Sequence, residues 1–212
     1  PIYSRAMMLA EVMKLKKSIT VSGSHGKTTT TSLIASILLY SDCDPTIING
    51  GIINGINANA KLGNGKWIVA EADESDGSFT MLPSTIGVIN NIDFEHVDFY
   101  NSIKDVKNSF IKYAKNIPFD GFLSINNDDK NIKSILNKIK QIRIFTYGFS
   151  SNSNYYAQNI KTSKKGNRFF TSFDIASNIN NKSLTKNIHI PLIGKHNVLN
   201  TLAAYSVAKG LK

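Results

Sequence analysis

The sequence predicts an α/β fold: a mostly parallel sheet flanked by helices, plus a small antiparallel β-sheet near the C-terminal third. Three observations predict it. Between residues 18 and 147, short β-branched or aromatic runs alternate with segments of helical period, the pattern of a parallel sheet with crossover helices. The first of these strands passes through the turn Gly23-Ser24-His25-Gly26 straight into a helix that opens Lys27-Thr28-Thr29. From residue 155 onward, three extended runs separated by Lys, Asn, Gly and Ser turns follow one another without a helix between them, as antiparallel strands do.

Taken in order, residues 9–16 read as the end of an amphipathic helix with Met8, Val12 and Leu15 on one face. Residues 18–23, SITVSG, are a buried strand closed by a glycine turn. Residues 27–40 are a helix docked on a sheet through Leu33, Ile34, Ile37 and Leu38. WIVA at 67–70 and TIGVI at 85–89 are further buried strands, and the first of them runs directly into an acidic cluster. Residues 103–117 are a helix with Val106, Phe110, Ile111 and Ala114 on one face. Strand, helix and strand follow at 122–125, 132–139 and 142–147. The antiparallel runs lie at 155–160, 168–175 and 183–190, and a last helix covers 196–209. No internal repeat or low-complexity linker interrupts the chain.

With 212 residues, 42% hydrophobic and 19% charged, the chain is long enough for one domain with a real core and too apolar for a disordered segment. Its longest apolar stretches fall short of the ~20 residues that cross a bilayer, so no membrane insertion is expected. No signal peptide is visible at the start. The lone Cys43 excludes an internal disulfide framework and a cysteine zinc site, and fits a reducing setting. It reads as a buried small residue or a surface thiol. The net charge of +10 divides unevenly, −3 over residues 1–100 and +13 over 101–212. The excess is lysine, 22 Lys against 3 Arg, in a chain that also carries 28 Ile and 24 Asn. A/T-rich codons are a sufficient cause of that composition. Arginine, the residue suited to reading bases, is scarce, so no nucleic-acid partner is expected.

Four blocks carry chemistry. In Gly23-Ser24-His25-Gly26-Lys27-Thr28-Thr29, between strand and helix, glycines let backbone N–H groups close around phosphate oxygens, and the helix N-terminus adds its dipole. Lys27 would reach the β and γ phosphates, and the Thr28 hydroxyl would ligate Mg²⁺. Val21 stands where the full P-loop pattern G-x-x-x-x-G-K-[ST] begins with glycine, so the loop is a shortened variant. The second block, Glu71-Ala72-Asp73-Glu74-Ser75-Asp76, places four carboxylates within six residues at a strand end. They repel one another unless a cation sits there, and strand ends are where open α/β sheets bind ligands. Third, His96 follows another strand end and is flanked by Glu95 and Asp98, a setting for a metal or phosphate contact. Fourth, Asn197 and Asn200 share one face of the last helix, where amides match an adenine edge. Each block has a plainer alternative: a strand–turn–helix joint, a solvated acidic loop, a surface histidine, a helix N-cap region.

With these blocks in this order the chain resembles the Mur ligases, the ATP-dependent amide-forming enzymes of peptidoglycan synthesis. The segments that carry the resemblance are SRAMMLAEVM, SGSHGKTTTTSLIAS, NGGIINGINANAKLGNG, VAEADESDGSF, NNIDFEHVDFY, FDGFLSINNDD, TYGFS and GKHNVLNTLAA. The EADESD block points to the member that joins L-alanine to UDP-N-acetylmuramate. The related murein-peptide ligase, the competing reading, usually has tyrosine where Ser75 stands. The resemblance implies an acyl-phosphate route: ATP phosphorylates the substrate carboxylate, and the L-alanine amine displaces phosphate. It implies catalytic roles for Lys27, Glu71 and His96. It implies nucleotide binding by Gly23, Ser24, His25, Gly26, Lys27, Thr28, Thr29, Asn197 and Asn200. It places Asn59, Asp73, Glu74 and Ser75 towards the sugar nucleotide. Two Mg²⁺ ions are implied, one on Thr28 and Glu71, the other on Glu71 and His96.

Two residues depart from the family pattern: Ser24 replaces a threonine, and Lys61 stands where arginine is common, without arginine's bidentate fork. Family members begin with a UDP-binding domain and end with another α/β domain, which supplies an arginine and an aspartate to the ATP site. Residues 1–17 are therefore expected to be a tail or linker from that first domain, and 18–212 the central ATPase domain. The expected partners are the N- and C-terminal domains of the full-length enzyme, in the bacterial cytoplasm, with the isolated chain inactive. A P-loop regulatory module without ligase activity is the reading from another class; such a switch requires only one Mg²⁺ site.

Overall fold

The computed structural model describes residues 2–53, 56–179 and 183–211. A helix, α1 (Arg5–Met13), leads into β1 (Lys17–Ser22), then α2 (Lys27–Tyr40). Next come β2 (Thr46–Ile53), β3 (Ala58–Lys61), β4 (Trp67–Glu71) and β5 (Ile86–Ile89). They are followed by α3 (Ile103–Lys115), β6 (Phe122–Asn126), α4 (Lys130–Ile135) and β7 (Ile144–Gly148). The chain closes with β8 (Tyr155–Lys165), β9 (Arg168–Ser177), β10 (Leu184–Ile190) and α5 (Lys195–Gly210).

All ten strands join one sheet in the order β10-β9-β8-β7-β6-β5-β1-β4-β2-β3. From β2 across to β8 neighbouring strands are parallel; β3 at one edge and β9 and β10 at the other run antiparallel to their neighbours. The antiparallel group expected near the C-terminal third is present, and it continues the main sheet through the β7–β8 pairing. β1 lies between β4 and β5, so the chain leaves it first towards one edge and later towards the other. That reversal opens a crevice at the strands' carboxyl ends.

Both faces of the central strands are covered, which is why β1 reads as a nearly unbroken buried run rather than an alternating one. Ile68, Ala70, Ile89, Leu123 and Ile125 face α1, α3 and α4, where Met13, Val106, Phe110 and Ile132 meet them. Ile19, Val21, Val69 and Val88 face α2 and α5, against Ile34, Leu38, Val198 and Leu202. Each such Ile, Val, Leu, Phe or Met side chain contributes about 1.5–3 kcal/mol on leaving water.

Three expectations change. The face Met8, Val12 and Leu15 is exposed, and α1 instead buries Ala10 and Met13. α1 carries apolar residues on two faces, and the one spaced as Leu9, Ala10 and Met13 meets the core and the 3₁₀ turn Ser78–Met81. The helix expected over 132–139 is α4 followed by a separate 3₁₀ turn, Leu136–Lys138. β2 and β3 had no counterpart in the sequence reading, because Gly50 and Gly51 interrupt the β-branched run.

Candidate functional site

The loop between β1 and α2 turns on two glycines with positive φ, Gly23 at +131° and Gly26 at +81°. A Cβ on Gly26 would stand 2.5 Å from Asn200 Oδ1, and one on Gly23 would stand 3.0 Å from Asn90 Cβ. The segment leaving β5 laces the loop in place. Ser24 N donates to Asn91 O at 3.3 Å. His25 N donates to Asn91 Oδ1 at 2.7 Å, and Asp93 N donates to Ser24 Oγ at 2.9 Å. The N–H groups of Ser24 and His25 are thereby used inside the protein. The first turn of α2 has Gly26 at its N-cap and no side-chain cap, and it opens on a concavity lined by residues 24–29. Uncapped N–H groups at a helix start suit an anion. The His25 ring lies 3.2 Å from Glu95 Oε1, turned towards that acid.

Lys27 folds back over the loop. Its Nζ donates to Gly23 O at 2.9 Å and Ser24 O at 3.4 Å, and it pairs with Glu74 at 3.0 and 3.2 Å. The lysine side chain is 16% exposed and that of Glu74 only 2%. Tyr100 OH donates to Glu74 O at 2.7 Å and pins the acidic loop from below. His96, held at a positive φ of 54°, brings Nε2 to 3.5 Å from Glu74 Oε1. One ligand atom each from Asp73, Glu74 and His96 lies within 4.8 Å of the others. Glu74 Oε2 is buried and has no aligned donor; its 3.0 Å approach to Lys27 is a charge contact without hydrogen-bond geometry. A carboxylate pair, an imidazole and an orphaned acceptor fit a divalent cation.

Glu71, expected beside His96, goes elsewhere. Its Oε1 accepts from Gly50 N at 3.0 Å. A Cβ on Gly50 would come within 2.7 Å of Glu71 Oε2, and one on Gly51 within 3.0 Å of Thr28 Cγ2. The glycine pair of β2 therefore lets Glu71 approach at Gly50 and Thr28 approach at Gly51, while His96 takes Glu74. Among the described residues, Glu71 does not join the Asp73, Glu74 and His96 group. The cause is the loop backbone after β4, which carries Glu74, three positions on, back under Lys27.

Of the expected substrate-facing residues, Glu74 is instead buried against Lys27, and Asn59 is exposed on the edge strand β3. Asp73 and Ser75 line a cleft with Arg5, Glu71 and Asp76, and Asp73 Oδ1 accepts from Ser75 N at 3.2 Å. The hydroxyl and backbone N–H of Ser78 hold the Asp76 carboxyl below its ordinary range. Lys61 is paired with Asp44 at 2.5 Å, so in this arrangement it faces the connection between α2 and β2.

Asn200 is buried. Its Oδ1 accepts from Thr30 Oγ1 at 3.2 Å, and its Nδ2 donates to Asn197 Oδ1 at 3.2 Å. Asn197 in turn donates to Ile193 O at 2.8 Å. Beside them a pocket of about 300 Å³ is lined by His25, Asn90, Asn91, Tyr147, Leu199 and Asn200, among others. Asn200 thus both lines this pocket and braces the phosphate loop, and Asn197 acts through it.

The family description "Mur ligase middle domain" matches residues 21–208. The chain belongs to the Mur ligase family. This Mur ligase domain is 50% identical to the UDP-N-acetylmuramate–L-alanine ligase of Pelagibacter ubique over 98% of its own length and 44% of that relative's. It is 46% identical to the ligase of the same name from Syntrophobacter fumaroxidans, covering 100% of this chain and 43% of the relative. The chain therefore spans less than half the length of these relatives. Among solved structures, the UDP-N-acetylmuramate-alanine ligase MurC of Thermotoga maritima superposes with a TM-score of 0.81 at 26% identity, covering 98% of this chain and 45% of that one. The UDP-N-acetylmuramate:L-alanyl-gamma-D-glutamyl-meso-diaminopimelate ligase of Neisseria meningitides has the same fold, with a TM-score of 0.83 at 23% identity over 100% of this chain and 67% of that one.

Two residues of this Mur ligase domain escaped the sequence reading. Asn90 donates to His25 O at 3.3 Å and Thr30 Oγ1 at 3.1 Å, and accepts from Tyr147 OH at 3.0 Å. Complete burial pushes the Tyr147 hydroxyl far above its ordinary range. The available signal was position: Asn90 directly follows a buried strand, one residue before the NIDFEH block.

Proposed function

We propose that the chain is the nucleotide-binding middle part of an ATP-dependent ligase that joins L-alanine to UDP-N-acetylmuramate in the bacterial cytoplasm, with residues 1–17 the tail of a preceding domain, docked through Ala10 and Met13 on the ATPase domain of 18–212. The observation that carries this is Lys27 at the mouth of an uncapped helix, facing Glu74 and His96. The first turn of α2 and Lys27 bind the β and γ phosphates, and the pocket beside Asn200 receives the base. Thr28 and Glu71 would hold one Mg²⁺, and His96 with Glu74 and Asp73 a second. Such ions, when bound, neutralise charge on the transferring phosphoryl group.

The remaining steps concern substrate atoms. The lactyl carboxylate of UDP-N-acetylmuramate attacks the γ phosphorus, and ADP leaves. The amine of L-alanine then attacks the acyl carbon, and phosphate leaves as the amide forms. Lys27 offsets negative charge in the first step by position and electrostatics. Asn59, Asp73 and Ser75 are the residues proposed to face the sugar nucleotide. The 50% identity to an alanine-adding ligase supports this substrate pair over the murein-peptide alternative. By the resemblance, a C-terminal domain would close over the nucleotide and exclude water, so the isolated chain is expected to bind ATP weakly and form no amide.

Calorimetry tests the reading. The chain binds Mg²⁺–ATP, and Lys27→Ala weakens it by about tenfold or more, the weight of one charge-assisted contact. Equal affinity in parent and variant overturns the assignment of Lys27. Mass spectrometry after incubation with UDP-N-acetylmuramate, L-alanine and Mg²⁺–ATP should show no more than traces of product.

A further inference from the structure

We infer that Glu74 is a positioning residue that changes partner: it holds Lys27 in the ligand-free protein, and passes to a divalent cation with Asp73 and His96 once phosphate takes Lys27. The inference deepens the nucleotide-binding reading above and rests on it.

An ammonium has three donors. In Lys27 they are directed at Gly23 O, Ser24 O and the Glu74 carboxylate. None is left for a phosphate while Glu74 stays in place. The phosphate loop is therefore latched shut by its own acid. The acid is just as dependent on the lysine. Glu74 is 1% exposed, and a buried carboxylate stays charged only when something positive compensates it. Besides Lys27, the nearest candidate is the His96 ring at 3.5 Å.

Withdrawing Lys27 towards a phosphate strips the carboxylate of its cation, and Oε2 already lacks an aligned donor. The replacement is at hand, because Asp73, Glu74 and His96 present ligand atoms within 4.8 Å of one another. Conversely, a cation on Glu74 neutralises it and frees Lys27. Each ligand favours the other, and the coupling is reciprocal. The exchange needs only side-chain rotation, because Tyr100 OH pins the backbone at Glu74 O.

The test uses this 212-residue chain, calorimetry, and two separate probes: inorganic triphosphate in EDTA, and Mn²⁺ alone. Glu74→Gln, nearly isosteric, releases the latch without adding a contact to phosphate. It is expected to bind triphosphate about fivefold or more tightly than the parent. Lys27→Met leaves Glu74 uncompensated and is expected to bind Mn²⁺ about fivefold or more tightly, while losing triphosphate. Asp73→Asn removes a like charge from the same cluster but no contact to Lys27, and measures the purely long-range contribution; its gain for triphosphate should be clearly smaller than that of Glu74→Gln. A merely structural Glu74 would weaken both ligands on substitution. Lys27→Met decides the matter alone if Glu74→Gln does not melt cooperatively. Unchanged or weakened binding in the two variants, or an equal gain in Asp73→Asn, overturns the exchange. A parent that binds neither triphosphate nor ATP overturns the nucleotide reading itself, and the exchange with it.

Discussion

The crevice at the carboxyl ends of β1, β4 and β5 and the antiparallel extension β8–β10 belong to one sheet but are built on opposite terms. In the extension the ladders shift register at Gln158–Lys161 and Thr185–Ile188, where Asn159 and Asn187 take positive φ, and one face of β9 is buried through Phe173 and Ile175. Its polar contacts are local and exposed, such as Asn159 Nδ2 donating to Asp174 Oδ2 at 2.8 Å. In the crevice a lysine and a glutamate are buried together, and Asn90, Asn200 and Thr30 exchange hydrogen bonds inside the core. Buried charge persists only where the surrounding structure compensates it. Among the described residues no ion pair lies in the extension, whereas the crevice buries one at the residues that carry the proposed chemistry.

If that division holds, damage to the two regions must separate stability from binding. Phe173→Ala, in the extension, should cost about 3–5 kcal/mol of stability, read in urea, while the ATP affinity of the remaining folded protein is unchanged. A parallel loss of affinity would break the comparison. Gly26→Ala, in the crevice, should do the reverse. Its φ of +81° and the 2.5 Å approach to Asn200 Oδ1 cost only about 1–2 kcal/mol of stability. The displaced loop should lose most of its ATP affinity in calorimetry.

The smallest effect is at Asp76, on the crevice rim. Its carboxyl is held below the ordinary range by Ser78, so its contribution is present above the unfolded-state value and is lost as pH falls through the lower, folded value. Asp76→Asn should therefore cost stability at pH 7, by under about 1 kcal/mol at this exposed position, and nothing at pH values below the folded one. A difference that grows towards acid has the wrong sign and removes Asp76 from the account.

The same division explains what was legible in the sequence. The phosphate loop was, because Gly23, Gly26, Lys27 and Thr28 act within one turn and their spacing is their geometry. Strands β1, β4 and β5 were, because both faces are buried and the runs are continuous. The choice between Glu71 and Glu74 was not: both sit in one acidic loop, and only the fold of the backbone after β4 decides which reaches Lys27. β2 was hidden by Gly50 and Gly51, the residues that allow Glu71 and Thr28 to approach it. Asn90 and Tyr147 bind across more than fifty residues of chain, a distance that no local pattern encodes. The apolar face of α1 was misjudged because both of its faces are apolar, and packing alone selects Ala10 and Met13.

The β1–α2 loop and the Asp73, Glu74 and His96 group share one crevice, proposed to serve a single nucleotide–metal complex. Crystals grown with Mn²⁺ and a non-hydrolysable ATP analogue, measured at the manganese absorption edge, test this most directly. An anomalous peak is expected within bonding distance of His96 Nε2 and the Glu74 carboxylate, with the triphosphate lying on the first turn of α2 and touching Lys27 Nζ. A triphosphate bound elsewhere, or manganese on the surface with Glu74 still paired to Lys27, contradicts it.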